Sequence, residues 1–184
     1  MPGLAASDPL CAAWAGYAGT VQALGVAASF GDLSSEQLAV LELTSTPYLV
    51  KVADSIGGSW PVELESERAS VLEQRIGPYA RRARRGVDAL VGAGVAPAEL
   101  SALSSSWEAA LTTRDPRSPL LKVPTVAAPI QAKLDAAAIA FDSDVTPFAQ
   151  DPSLVVDAVD TPLTDAYLAA HCPDLAASGV GDAL

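Results

Sequence analysis

Two cysteines, one near each end of the 184-residue chain, constrain this sequence more than any other feature: Cys11 and Cys172. Asp8-Pro9 reads as a helix start, with Asp as the cap and Pro at the first helical position. Cys172-Pro173 reads as a helix end, because Pro cannot continue the hydrogen-bond ladder. A bridge between the two cysteines joins the first turn of the first helix to the end of the last and encloses nearly the whole fold. In the chain-entropy account a loop of that size stabilises by about 5 kcal/mol. Two unrelated buried thiols in a reducing compartment are the alternative. The terminal placement favours the bridge and, with it, an oxidising compartment. A thiol–imidazole pair is not expected, since His171 and Cys172 are helix neighbours and point ~100° apart.

Between the cysteines the apolar residues recur at helical spacing. Leu10, Trp14, Tyr17, Val21, Leu24 and Ala28 predict a first helix ending near Ala28. Ser34-Ser35-Glu36-Gln37 is a capping box that opens a second helix, with Leu38, Leu41, Val52 and Ile56 inward. Pro47 should kink it, and Gly57-Gly58 should end it. Pro61 opens a third stretch with Val62, Ala69, Leu72 and Ile76 on its apolar stripe. Gly77-Pro78 interrupts that stretch, which resumes with Ala83, Val87, Leu90 and Val91. Pro97 starts a helix that turns Leu100, Leu103, Trp107 and Leu111 inward, and the Pro-rich span from Arg114 to Pro129 predicts an extended connector. Ile130, Leu134, Ala138 and Phe141 mark another helix; Asp151-Pro152 a short one; Thr161-Pro162 the last, carrying Leu163, Tyr167 and Leu168. No alternating β-branched run occurs, which argues against a sheet. The expected fold is all-α: a single domain over 1–184 built as a Pro-kinked bundle of about four main helices. Short helices follow near the C-terminus, the ends are joined by the disulfide, and 1–7 and 176–184 are expected as flexible tails.

Charge narrows the partners. The net charge is −11, and no Lys or Arg follows Lys133, whereas Asp135, Asp142, Asp144, Asp151, Asp157, Asp160, Asp165, Asp174 and Asp182 do. Such a balance argues against nucleic acid or an anionic membrane surface as the main partner. No uninterrupted apolar run approaches ~18 residues, so no transmembrane segment is expected. Met1-Pro2-Gly3-Leu4 does not resemble a signal peptide, so export would require a signal absent from this chain.

Four groups of residues invite a chemical reading. Arg75, Arg81, Arg82, Arg84 and Arg85 are expected on a wide outward arc, either as an anion- or partner-binding patch or as partners for acidic groups of the same molecule. Asp142-Ser143-Asp144 fails as a calcium loop, because Pro147 and Ser153 stand where an EF-hand needs Gly and Glu. Glu63, Glu65 and Glu67 sit at a helix start, where the dipole accounts for them. Tyr167 and His171, four apart, share a helix face where both can address one ligand; a helix-end histidine beside an inward tyrosine is the plainer reading. No nucleophile elbow, phosphate loop or metal-ligand cluster is legible.

The segment Tyr167-Leu-Ala-Ala-His171-Cys172-Pro173-Asp174-Leu175, together with Cys11 on the N-terminal helix, resembles small exported helical proteins of actinobacteria. The resemblance implies export and an all-α fold. Tyr-Leu-x-x-His is also similar to a segment of mycobacterial haem-binding exported proteins, which implies a haem contact for Tyr167 and His171. The leading expectation is a non-enzymatic extracytoplasmic module, secreted, periplasmic or at the cell surface, that binds a protein or stabilises an assembly without a cofactor. A haem-type carrier and an anion-binding module are the alternatives.

Overall fold

The computed structural model describes residues 8–30, 32–113, 126–144, 159–172 and 175. It is all-α, with the ends joined by a Cys11–Cys172 disulfide and no strand among the described residues. Helix α1 covers Pro9–Phe30 and α2 Ser35–Gly58; after a 3-10 segment, Val62–Glu67, come a short α3 (Arg68–Ser70) and a π-helical turn, Val71–Arg75. Then follow α4 (Gly77–Gly92), α5 (Pro97–Thr112), α6 (Ala128–Asp144) and α7 (Pro162–His171). Helix α6 is the one expected from Ile130, Leu134, Ala138 and Phe141, and its first turn takes in Pro129, whose fixed φ suits that place. Most of the Pro-rich span, the helix expected at Asp151-Pro152 and both expected tails lie outside the described residues.

Helix α2 is the axis of the bundle and packs against α1, α4, α5 and α6. Its start is the expected capping box: the Gln37 amide donates to Ser34 Oγ at 3.2 Å, and the Ser34 amide to Gln37 Oε1 at 2.9 Å. Pro47 sits inside it, and the neighbouring side chains supply what proline removes. The Leu43 carbonyl, which a residue with an N–H at position 47 would satisfy, accepts the Thr46 hydroxyl at 2.9 Å. Thr44 and Ser45 donate likewise to the carbonyls of Leu41 and Glu42, both at 2.6 Å.

Helix α1 owes its fit to small residues. A Cβ on Gly16 would lie 2.4 Å from the Tyr48 hydroxyl, and one on Gly86 of α4 would lie 2.6 Å from Thr46 Cγ2. The helices approach α2 as closely as they do because those atoms are missing. Taken by length and composition, Pro9–Ser29 is also apolar enough to cross a bilayer; Gly16, Gly19, Thr20 and Gln22 break the uninterrupted run, so counting runs does not reveal it. Most of that stretch is buried in the fold.

Two apolar clusters result. One gathers α1, the C-terminal half of α2 and the 62–83 region around Trp14, Tyr17, Leu24, Ile56, Ile76 and Trp107. The other joins α2, α4, α5 and α6 through Leu43, Leu90, Leu103, Leu134 and Phe141. Each fully buried leucine or isoleucine contributes ~1.5–3 kcal/mol, so truncating one such as Leu90 would cost ~2–5 kcal/mol. The buried polar residues Glu42, Thr44, Ser45 and Thr46 run along α2 beside both clusters, and Trp107 Nε1 donates to Thr44 Oγ1 at 2.9 Å.

The third stretch departs most from expectation. Val62 is exposed rather than inward, and the chain winds tightly, then loosely, before α4. The Ile76 amide reaches back five residues to the Val71 carbonyl at 2.9 Å, a π-turn that re-phases the chain ahead of Gly77-Pro78. Gly94, at φ 83°, closes α4 in the left-handed region, with the Val95 amide donating to the Leu90 carbonyl at 3.0 Å.

Candidate functional site

The sequence places Asp8, Cys11, Tyr167, His171 and Cys172 at opposite ends of the chain, and the fold brings them to one place. The cysteine Cα atoms stand 5.4 Å apart, and both side chains are buried. Asp8 does two jobs there. Its Oδ1 caps α1 by accepting the Leu10 amide at 2.8 Å and the Cys11 amide at 3.4 Å, while Oδ2 accepts the Tyr167 hydroxyl at 2.6 Å. The tyrosine hydrogen bond, then the two amides and nearby His171, hold the Asp8 carboxyl below its ordinary range against the cost of partial desolvation. The same bond, with desolvation and the charges of Asp8 and Glu63, pushes Tyr167 up to about 12.

Tyr167 and His171 do share one helix face, as their spacing predicts. Their rings stack at 4.3 Å between centroids and 21° between planes. His171 is exposed and Tyr167 half-buried. A ligand approaching this pair meets the imidazole in the open and a phenol whose oxygen is occupied by a carboxylate.

The other end of α7 is held by a residue that sequence reading assigned to its own helix start. Glu67 accepts the Leu163 amide at 3.0 Å, the Thr164 amide at 2.8 Å and the Thr164 hydroxyl at 2.7 Å. It caps α7 from outside, where Thr161 supplies no side-chain cap of its own. Desolvation raises the Glu67 pKa, but these donors and Arg75 outweigh it and the net shift is downward. No local signal reveals this pairing, because 96 residues separate Glu67 from Leu163.

The five arginines do not form one patch. Arg75 donates to Thr161 Oγ1 at 2.9 Å and Asp165 Oδ1 at 2.7 Å, and lies over the Trp14 ring at 5.2 Å. Arg82, expected on the outward arc, is buried: Nε and Nη2 both bond the Glu42 carboxylate, and the guanidinium lies 5.0 Å from the Phe141 ring centre. Its position four residues before Gly86 puts it on the face that packs against α2, and Glu42 neutralises it there. Arg84 pairs with Asp54 at 2.6 Å, and Arg81 donates to the Glu73 carbonyl at 3.4 Å. Arg81 and Arg85 remain exposed. Intramolecular acids thus take three of the five: Glu42 and Asp54 of α2 and Asp165 of α7.

No group of three or more His, Cys, Asp or Glu side chains arranged to hold a metal ion occurs among the described residues. Comparison with protein-family profiles, curated proteins and solved structures finds no match to this chain. What the geometry establishes is a disulfide-closed helical bundle whose bridge fits an oxidising, extracytoplasmic environment.

Proposed function

We propose that this chain is an extracytoplasmic interaction module, a rigid helical platform that engages another protein or stabilises an assembly through its outer surface. The observation that supports it most is the Cys11–Cys172 bridge set within the Asp8–Tyr167 and Glu67–α7 contacts, which clasps both ends of the bundle. Bridges of this kind persist where thiols are oxidised. Glu42, Glu67, Arg75, Arg82 and Arg84 direct their hydrogen bonds to the chain itself, so these groups serve architecture. The outer surface carries scattered large apolar side chains, Val62, Val91, Ile139 and Leu163 among them.

The test is photo-crosslinking in the native source, with the reactive residue placed at Ile139 or Val62 one at a time. A discrete adduct in the extracytoplasmic fraction, on protein two mass units lighter than its reduced form, supports the proposal. Two free thiols in protein from that source, or catalytic turnover by the purified chain, would overturn it.

A second reading, a haem-type small-ligand carrier at Tyr167 and His171, draws on the parallel stacking of the two rings and the exposure of His171. Asp8 competes for the phenol oxygen, so His171 would make the first contact. Haemin titration decides it: a Soret shift that His171→Ala abolishes supports the carrier, and an unchanged spectrum rules it out.

A further inference from the structure

Helix α7 is attached unlike the rest of the bundle. Helices α1, α2, α4, α5 and α6 interlock through the two apolar clusters, to which, among the described residues from 159 on, only Cys172 and Leu175 contribute as buried members. Tyr167 and Leu168 lie half-buried against the first cluster, and Thr164 is the one buried residue of α7 itself. The remaining attachment is polar: Glu67 to the first turn, Arg75 to Thr161 and Asp165, Asp8 to Tyr167. Helix α7 also touches the Val62–Glu67 turn. The covalent bond at its end therefore carries a large share of its hold.

We propose that α7 is a redox-released strap: reduction of Cys11–Cys172 by a dithiol frees it from the body while the five-helix bundle stays folded. In the exchange, one thiolate of the reductant attacks one cysteine sulfur, forming a mixed disulfide and expelling the other cysteine as a thiolate that takes up a proton. The reductant's second thiol then attacks the mixed disulfide and releases the second cysteine as a thiol. Two electrons and two protons pass to the protein, and the reductant leaves as its own disulfide. Because both cysteines are buried, an attacking thiolate reaches the bridge only after the polar contacts around Asp8 and Tyr167 open. Those contacts gate the reaction, and reduction removes the bond that restores them. The proposal stands whether or not the chain has a protein partner.

The experiment is amide hydrogen exchange, followed by mass spectrometry, on the full chain oxidised and after reduction with a soluble dithiol at neutral pH. Reduced protein should lose protection at least about 100-fold across 162–172 while α2 and α5 stay within about tenfold of the oxidised protein. Retained protection over α7 would overturn the proposal, and so would loss of protection in all helices together. Tyr167→Phe supplies the second arm. Loss of a hydrogen bond to a charged group should speed reduction of the oxidised protein about tenfold with α2 still protected. An unchanged rate would show that the contact is no gate.

Discussion

The Arg82 guanidinium closes on the Glu42 carboxylate inside the bundle and covers the ring of Phe141, linking α4 to α2 and α6 through one buried charge pair. Forty residues separate the partners, and both are almost wholly inaccessible. Removing one partner withdraws two charge-assisted hydrogen bonds from a charge held in the interior. Arg82→Met or Glu42→Gln should each cost about 3–5 kcal/mol in urea unfolding. Combining Arg82→Met with Glu42→Leu should cost less than the sum, since the two groups share the same hydrogen bonds. Strict additivity would show that the two groups are not coupled.

Close approach of α1 to α2 depends on Gly16. An added methyl would fall 2.4 Å from the Tyr48 hydroxyl and 3.0 Å from Val52 Cγ1. Gly16→Ala should destabilise by about 1–3 kcal/mol despite alanine's better helix propensity. Adding Tyr48→Phe removes the nearest of those atoms and should restore part of the melting temperature. No rescue would place the strain elsewhere in the interface.

Features written in neighbouring residues are legible from sequence, and features written across the fold are not. The caps at Asp8 and Ser34 depend on side chains two or three residues from the amides they serve, and the break at Gly77-Pro78 and the end at Cys172 coincide with prolines at or beside them in the sequence. The shared face of Tyr167 and His171 follows from helical geometry alone. Arg82 reads as exposed because its partner lies on another helix, and a charge without a visible partner is normally placed in water. Glu67 reads as a dipole partner of its own segment, while its donors belong to α7. Val62 fits an α-helical stripe only if the segment is α-helical; the 3-10 winding changes the period and turns it outward.

Acid should loosen α7 at both ends. Asp8 and Glu67 both have folded pKa values below their unfolded ones. Their stabilisation is therefore fully present above the unfolded carboxylate pKa, about 4, and is lost as pH falls through the lower folded values. In an Asp8→Asn, Glu67→Gln variant the melting temperature should lie below that of the parent at pH 6. The gap should narrow steadily as pH falls from about 4 towards 2. A gap independent of pH would mean that neither carboxylate acts through its charge.

Alkali acts on the same clasp with the opposite sign. The Asp8 hydrogen bond is the first cause that raises Tyr167 to about 12, above the ordinary value of 10.0. A raised folded pKa means that the contribution of this group is intact below pH 10 and disappears as pH climbs from about 10 to about 12. Burial raises the other three tyrosines as well, Tyr48 to about 12. Phenolate absorbance at 295 nm should therefore stay low at pH 10 in the native protein, although four tyrosines are present. Asp8→Ser keeps an α1 cap but withdraws the carboxylate from Tyr167. It should bring one tyrosine back towards the ordinary range, with the far-ultraviolet spectrum unchanged. Titration of the variant indistinguishable from the parent would detach Tyr167 from Asp8 in solution, and a Tyr167→Phe control identifies which phenol has moved.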